Sequence, residues 1–201
     1  NYDAVTELPN RHFFQKNLAE LTQSKQTPFA LLYIDLDDFK NINDSLGHNY
    51  GDALLNAISH RMHTVLLERY LNHFSLARIG GDEFAIILEM VDLNQTNPCQ
   101  ALAEALVKTV SQPYKINEET IEIGCSVGVS LFPEHSTNPT QLMRNADLAM
   151  YEAKHNGKNR YVFFDVFIKD KLDHRIQMLQ SIERAIKDQE FTLHYLSLIH
   201  I

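Results

Sequence analysis

The chain contains 201 residues, of which 44% are hydrophobic, and this is enough for one well-buried domain with a short appendage. Its 18 basic and 26 acidic residues give a formal net charge of −8, which argues against broad binding to nucleic acids or anionic membranes. Two distant cysteines, Cys99 and Cys125, exclude a disulfide framework and a Cys-x-x-Cys zinc site, and they fit a reducing compartment.

The sequence shows neither a signal peptide nor an apolar run near the roughly 20 residues that a membrane helix needs. It begins with Asn1 rather than with methionine. These features predict a cytoplasmic fragment of a longer protein. Any membrane anchor of that protein is expected outside these residues.

Hydrophobic spacing predicts an alternation of helices and strands along the first 165 residues. Helices are predicted over residues 11–26, 39–46, 50–69, 100–110 and 139–155. Strands are predicted over residues 29–35, 74–77, 85–88, 114–117, 120–131 and 160–165, and the second and third of these form a hairpin. This order predicts an α+β fold in which helices flank a central, mostly antiparallel sheet.

Beyond residue 165 a single apolar stripe predicts a connector helix over residues 166–190. The spacing of the stripe is typical of a connector or a coiled coil. Its members are Ile168, Leu172, Ile176, Leu179, Ile182 and Ile186.

The predicted hairpin carries two adjacent carboxylates, Asp82 and Glu83, directly after Gly80 and Gly81. Glycine supplies the positive φ values of a two-residue hairpin turn, so the two glycines are expected to form that turn. Taken by themselves, the two carboxylates fit a solvated turn as well as they fit a functional site.

A second acidic cluster favours the functional interpretation. The apolar strand over residues 30–34 ends in an acidic run at residues 35–38. If this strand lies beside the hairpin, Asp35 and Asp82 converge at one edge of the sheet. Carboxylate oxygens there suit Mg²⁺ or Mn²⁺ better than zinc, and such a metal takes phosphates as its remaining ligands.

The segment Gly80-Gly81-Asp82-Glu83-Phe84 resembles the signature of the GGDEF domains, the diguanylate cyclases that join two GTP molecules into cyclic di-GMP. Further elements of that family occur in the family's order. They are residues 3–11, residues 35–44, Gly47-His48, Gly51-Asp52, Ala146-Asp147, Ala149-Met150-Tyr151, Lys154 and residues 156–160. The resemblance implies a ferredoxin-like fold related to the palm of nucleotidyl cyclases. It predicts a GGDEF domain over residues 1–165.

The resemblance also implies a site for Mg²⁺ or Mn²⁺ and assigns its ligands. Asp35, Asp82 and Glu83 would bind the metal through carboxylates, and Leu36 through its backbone carbonyl. Asp82 and Glu83 are the implied catalytic acids, with Asp82 as the base for the 3′-hydroxyl of GTP. Arg78 is expected to help neutralise charge in the transition state.

The same family resemblance assigns guanine recognition to Asn43 and Asp52, and it places His48 close to the substrate. A carboxylate can accept hydrogen bonds from both N1–H and the 2-amino group of guanine, which adenine does not offer in that arrangement. Ordinary roles stay open for these residues. Asn43 fits a helix cap or a turn, and Asp52 fits the N-terminal part of a helix.

The family resemblance assigns the binding of the GTP phosphates to Lys40, Lys154 and Lys158. It also implies that Gly80 and Gly81 leave room for the nucleotide. For Lys154 and Lys158, a favourable interaction with a helix C-terminus is the ordinary alternative. A P-loop is excluded, because the sequence has no Walker pattern around Lys158.

One element of many GGDEF domains is missing. These domains carry an Arg-x-x-Asp product-inhibition site upstream of the signature, and the two positions are Leu71 and Phe74 in this chain. His73 lies between them and cannot replace a permanent guanidinium. Tight inhibition by cyclic di-GMP through this surface is therefore not expected.

The last residues, 191–201, resemble the truncated start of an EAL phosphodiesterase domain. The resemblance covers Glu190-Phe191-Thr192-Leu193-His194-Tyr195 and breaks down at Leu196-Ser197-Leu198, where that family continues with Gln-Pro. No phosphodiesterase activity is expected of this chain. An EAL domain is the expected neighbour in the full-length protein.

Two functions stay open. The intact acidic residues favour an active diguanylate cyclase, and the alternative is a GTP-binding regulatory module that controls an EAL phosphodiesterase domain. The product is two-fold symmetric, while one site has residues for one guanine. Two copies of the chain are therefore expected to meet face to face as a catalytic homodimer. Neither nucleic acid nor a membrane is an expected partner of this fragment.

Overall fold

The computed structural model describes residues 1–24, 27–71, 73–90 and 98–192. The helices are α1 Arg11–Ser24, α2 Phe39–Leu46, α3 His48–Tyr70, α4 Pro98–Val110, α5 Pro139–His155 and α6 Val166–Lys187. The strands are β1 Phe29–Leu36, β2 Phe74–Gly80, β3 Glu83–Glu89, β4 Tyr114–Ile116, β5 Glu119–Ile121, β6 Cys125–Phe132 and β7 Arg160–Phe163. The chain divides into two compact units, Asn1–Asp165 and Val166–Ile201.

A five-stranded sheet forms the centre of the first unit, with the strand order β2-β3-β1-β6-β7. β1 pairs antiparallel with both β3 and β6, and β2 pairs antiparallel with β3. Only the β6–β7 pair within this sheet is parallel. Strands β4 and β5 form a separate two-stranded ribbon. The predicted α+β class, with helices flanking a mostly antiparallel sheet, is confirmed.

The central strand β1 is buried along its whole length and supplies both hydrophobic cores. Leu32 and Ile34 face the core formed with α3 and α4, while Leu31 and Tyr33 face the core formed with α1 and α5. Alternation of side chains along a strand explains this division. Burial of each leucine or isoleucine contributes about 1.5–3 kcal/mol, so the end of β1 is a firmly held position for functional groups.

The strand predicted over residues 120–131 is wrong in its boundaries, because it is divided between β5 and β6. Ile121 still pairs with Tyr114 in the ribbon, whereas Cys125 pairs with Leu36 at the end of β1. The chain changes partner between these two points. A hydrogen bond from the Asp37 backbone N to the Gly124 backbone O, 2.9 Å long, closes the new pairing.

Other boundaries differ by a few residues. Helix α3 begins two residues before its predicted start, α4 begins at Pro98, and β7 ends at Phe163 rather than at residue 165. The last two residues of the helix predicted over 11–26 lie outside the described residues. The predictions for α2 and α5 match the observed bounds.

Helix α5 packs directly on β6 at Gly128. A Cβ atom at this position would collide with the backbone O of Ala146 and the backbone N of Met150. Nearby, the buried Ser130 Oγ donates a 2.9 Å hydrogen bond to the backbone O of Leu142. The absence of a side chain at Gly128 thus sets the distance between helix and sheet.

The second unit contains α6, which spans most of the connector predicted over residues 166–190. Three members of the predicted apolar stripe, Leu179, Ile182 and Ile186, are exposed on this helix. The segment resembling an EAL domain falls largely outside the described residues, which end at Thr192. In the described part of the chain, no helix is both long and apolar enough to cross a membrane.

Candidate active site

The tip of the β2–β3 hairpin lies beside the end of β1. Asp35 is the cross-strand partner of Glu83, and the Leu36 backbone N donates a 3.2 Å hydrogen bond to the Asp82 backbone O. These contacts bring together Asp35, Leu36, Asp82 and Glu83, which are the four predicted metal ligands. The antiparallel pairing of β1 with β3 therefore creates the acidic edge expected from the sequence.

The hairpin turn differs from the prediction by one residue. Gly80 still pairs with Glu83, so Gly81 and Asp82 form the turn, and the register shifts between Arg78 and Gly80. Gly81 has a φ of 53°, a value that glycine adopts without strain. The shift places Asp82 at the tip of the turn, where its carboxylate is half-exposed.

Arg78 holds this turn in place. Its Nε and Nη2 donate hydrogen bonds of 3.0 and 2.7 Å to the Gly81 backbone O. Its Nη1 donates to Asp3 Oδ1 at 2.9 Å, and Asp3 Oδ1 also accepts from the backbone N of Thr6 at 2.8 Å. These contacts make Arg78 a brace between the N-terminal segment and the turn. Its expected role in neutralising transition-state charge stays a prediction.

Asp35 is a buried carboxylate, with a side chain only 9% exposed, and its Oδ2 lies 2.7 Å from the Nζ of Lys154. The pKa of Asp35 is raised to about 6, first by burial and then by the charges of Asp82 and Glu83, while the hydrogen bond and the charge of Lys154 act in the opposite direction. The three carboxylates are thus close enough to repel one another.

A cation at the acidic edge would relieve this repulsion. Among the described residues, no group of three or more His, Cys, Asp and Glu side chains is placed so that it could hold a metal ion by itself. An open set of oxygen ligands suits Mg²⁺ or Mn²⁺, because Mg²⁺ is bound by one or two carboxylates together with water and substrate phosphates. The residues present fit such a metal when a nucleotide completes its coordination.

Tyr33 contacts the candidate site and was not predicted from the sequence. Its buried hydroxyl donates a 3.1 Å hydrogen bond to Glu83 Oε2. Burial and the neighbouring charge of Glu83 raise the pKa of Tyr33, so the hydroxyl stays protonated as a donor. The available signal was the spacing of two residues between Tyr33 and Asp35, which puts both side chains on one face of β1.

Asp37 is a second missed residue, and it connects the end of β1 to the loop that carries Lys158. Its Oδ1 accepts from Ser126 Oγ at 2.7 Å, and its Oδ2 accepts from the Asn159 backbone N at 2.9 Å. Because both of its carboxylate oxygens accept hydrogen bonds from the protein, Asp37 stabilises the fold at this point.

Lys158 is exposed and forms an ion pair with Asp38. Its Nζ lies 2.7 Å from both carboxylate oxygens, and this hydrogen bond raises the pKa of Lys158. Both residues line a surface cleft of about 360 Å³. The third predicted phosphate contact, Lys40, is exposed on α2, two residues after Asp38.

The predicted guanine-binding residues meet where α2 joins α3. Asn43 lies on α2, His48 begins α3, and Asp52 follows within the second turn of α3. His48 and Asp52 are exposed. Asp38 and Asp37 separate α2 from the end of β1, so this corner lies directly after the acidic edge in the chain.

Asn43 has an unusual environment. Its Oδ1 is buried and has no hydrogen-bond partner, and a Cβ atom on Gly51 would collide with it. A buried polar atom without a partner is costly, so such an atom is a candidate for ligand binding. The ordinary alternatives lose support here. Asn43 lies inside α2 rather than at its cap, and α3 has no acidic residue in its first turn.

At the position of the missing product-inhibition site, Leu71 is 71% exposed and Phe74 is half-buried. The ring of Phe74 contacts the ring of His63 edge-on, with 5.6 Å between the centroids. Neither side chain offers a hydrogen-bonding group to a nucleotide.

Comparison with known proteins identifies the family. Residues 1–160 match the model of the family described as diguanylate cyclase, GGDEF domain. The chain is 36% identical over 197 residues to the bifunctional diguanylate cyclase/cyclic di-GMP phosphodiesterase MucR of Pseudomonas aeruginosa. That alignment covers 96% of this chain and 28% of MucR.

Two further relatives come from the same organism. The chain is 33% identical to the cyclic di-GMP phosphodiesterase NbdA, over 96% of this chain and 24% of NbdA. It is also similar to the structure of a truncated TpbB that comprises only the GGDEF domain, with a TM-score of 0.78 and 31% identity over 86% of this chain and 99% of that chain. The chain spans about a quarter of the length of MucR and NbdA. The match over residues 1–160 shows that the chain belongs to the GGDEF domain family of diguanylate cyclases.

Proposed function

We propose that this chain is an active, Mg²⁺- or Mn²⁺-dependent diguanylate cyclase domain that condenses two GTP molecules into cyclic di-GMP and pyrophosphate. The observation that carries the proposal is the acidic edge, where Asp35 and Glu83 are paired across strands and Asp82 occupies the adjoining turn. Incubation of the purified chain with GTP and Mg²⁺, followed by chromatography of the products, tests it. Formation of cyclic di-GMP supports the proposal, and unchanged GTP contradicts it.

The proposed reaction consists of two equivalent steps, and each of them releases one pyrophosphate. In each step, the 3′-oxygen of one guanosine nucleotide forms a bond to the α-phosphorus of the other. The bond from that phosphorus to the bridging oxygen breaks, pyrophosphate leaves with the electron pair, and the hydroxyl proton passes to Asp82. A divalent cation at the acidic edge would supply charge neutralisation on the phosphates. Tyr33 keeps Glu83 oriented through its 3.1 Å hydrogen bond, and Arg78 keeps the turn of Asp82 in position. Positioning of this kind is the main contribution of a protein to phosphoryl transfer.

The alternative function is a GTP-binding regulatory module beside an EAL phosphodiesterase domain. The names of MucR and NbdA favour it, since both relatives carry phosphodiesterase in their names and both align with nearly the whole chain. GTP binding without turnover in the product assay would select this alternative. An EAL domain after residue 201 and a catalytic homodimer are further parts of the proposal.

Replacement of Asp52 by alanine is expected to weaken GTP binding and to narrow the preference for GTP over ATP. Loss of a hydrogen bond to a charged acceptor costs about 1.5–3 kcal/mol, which corresponds to an affinity loss of roughly 10- to 150-fold. Competition binding with GTP and ATP measures both effects. Glu68→Ala is the matched control, because it removes an exposed carboxylate from the same helix. Unchanged discrimination in Asp52→Ala would show that guanine is recognised elsewhere.

The Gly51→Ala variant tests the same corner by a different route. The new Cβ would displace the Asn43 side chain, while the gain in helix propensity of about 1 kcal/mol offsets the cost in stability. We therefore expect weaker GTP binding with a nearly unchanged unfolding midpoint. In an Asn43→Ala background the substitution should have no further effect on GTP affinity. An equal loss in both backgrounds would argue against Asn43 as the group that Gly51 accommodates.

Feedback through the surface around Leu71 and Phe74 is expected to be absent. An arginine binds phosphates and guanine edges with a fixed fork, and the apolar side chains at these positions provide no such contact. Calorimetric titration with cyclic di-GMP measures this. Any weak binding should disappear when an unreactive GTP analogue fills the active site. Sub-micromolar binding that persists in the presence of the analogue would disprove the expectation.

A further inference from the structure

The ion pair between Lys154 and Asp35 has a consequence for metal binding. The Nζ of Lys154 lies 2.7 Å from Oδ2 of Asp35, and the carboxylate of Asp35 is a predicted ligand of the metal. A monovalent ammonium therefore occupies one of the ligand positions. Lys154 is also a predicted contact of the GTP phosphates, and a move toward a phosphate would draw its ammonium away from Asp35.

Burial explains why Asp35 holds a cation before any ligand arrives. Its side chain is only 9% exposed, and a buried carboxylate without a partner costs several kcal/mol. The negative charges of Asp82 and Glu83 add to this cost. The ammonium of Lys154 offsets it and keeps the end of β1 in one conformation.

Lysine is suited to a temporary contact of this kind. Its ammonium is a compact charge on a flexible four-carbon stem, whereas an arginine would bind the carboxylate through two fixed hydrogen bonds. The side chain of Lys154 is 33% exposed, so it can leave Asp35 toward solvent. By contrast, Lys158 pairs with the exposed Asp38, which is not among the assigned metal ligands.

We propose that Lys154 is a placeholder cation, which neutralises Asp35 in the nucleotide-free protein, competes with the divalent metal, and moves to the GTP phosphates when the metal and GTP bind together. This inference rests on the proposed function for the identity of the metal and the nucleotide. It adds that the metal binds weakly without nucleotide and that GTP strengthens metal binding by giving Lys154 an alternative partner. Such coupling between two ligands is reciprocal.

The proposal predicts opposite effects of one substitution on two ligands. In Lys154→Met, Mn²⁺ should bind the nucleotide-free chain about tenfold more tightly, because a competing positive charge next to Asp35 is gone. An unreactive GTP analogue should bind less tightly, because a phosphate contact is lost. Electron paramagnetic resonance of free Mn²⁺ measures the first effect, and calorimetry measures the second.

Two variants serve as controls for net charge and for shape. Lys158→Met removes the same charge from the neighbouring ion pair, which touches Asp38 rather than Asp35, so its nucleotide-free Mn²⁺ affinity should rise less than that of Lys154→Met. Lys154→Arg keeps the positive charge on Asp35, so it should bind Mn²⁺ no more tightly than the wild type. If Lys154→Met binds Mn²⁺ no more tightly than Lys158→Met, the proposal is wrong.

A measurement on the unaltered chain covers the case in which Lys154→Met does not fold. Acetylation of lysines, quantified by mass spectrometry, should become faster at Lys154 when Mn²⁺ is added alone, and slower when the GTP analogue follows. Lys158 should show no increase with Mn²⁺ alone. An unchanged rate at Lys154 with saturating Mn²⁺ would overturn the proposal. Failure of the proposed function would be seen separately, as absence of cyclic di-GMP from the wild-type chain.

Discussion

Replacement of Asp82 by asparagine is expected to lower cyclic di-GMP formation by about 10³-fold or more, because it removes the residue proposed both as a metal ligand and as the general base. The fold should be unaffected. Asp82 is half-exposed at the tip of the turn, and its structural contact is made by its backbone O, which accepts from the Leu36 backbone N. The measurement is the initial rate of product formation, combined with thermal unfolding.

The same substitution has an informative effect on stability. The charge of Asp82 raises the pKa of the buried Asp35, so the neutral asparagine should relieve repulsion at the acidic edge. We expect an unfolding midpoint equal to or slightly above that of the wild type without metal. Glu89→Gln is the matched control, since it changes an acid at the opposite end of β3 and should leave turnover unchanged. Wild-type turnover by Asp82→Asn would refute the assignment of the site.

Gly128→Ala is expected to produce the largest loss of stability, about 3 kcal/mol or more in the free energy of unfolding. The new methyl group would meet the backbone of α5 at Ala146 and Met150, and a helix backbone cannot rotate away as a side chain can. Relief of the collision requires α5 to move away from β6. That movement also displaces Lys154, so activity should fall in the fraction that stays folded.

Urea unfolding of Gly128→Ala and the wild type measures this loss. Ser130→Ala provides a comparison on the same strand, because it removes one buried hydrogen bond to Leu142 and should cost only about 1 kcal/mol. A loss for Gly128→Ala that does not exceed the loss for Ser130→Ala would contradict the close packing of α5 on β6.

Much of the fold could be predicted because its signals are local. The apolar run of β1, the spacing in α5 and the glycine pair of the hairpin each depend on neighbouring residues in the chain. The acidic edge was predicted as well, since Asp35 directly follows the apolar run of β1 and Asp82 lies between the two strands of the predicted hairpin. The prediction of the turn residues was wrong by one position, because a register shift moves Asp82 into the tip of the turn.

The remaining features of the site depend on packing between distant segments. Lys154 suits a helix C-terminus by sequence, and its pairing with Asp35 follows only from the placement of α5 against the sheet. The contact of Arg78 with Asp3 likewise joins segments that are far apart in the chain. Hydrophobic periodicity shows which side of an element is buried, but it does not show which element covers it.

The most direct test of the account is the rate of cyclic di-GMP formation per chain across a dilution series of the wild-type protein, with GTP and Mg²⁺ saturating. In the proposed dimer each chain provides one guanine corner and one acidic edge, and the product needs two attacks, so the rate per chain should rise with concentration until dimers form. Excess Asp82→Asn should then suppress the wild-type rate through mixed dimers. A constant rate per chain, for protein that light scattering shows to be monomeric throughout, would contradict the account.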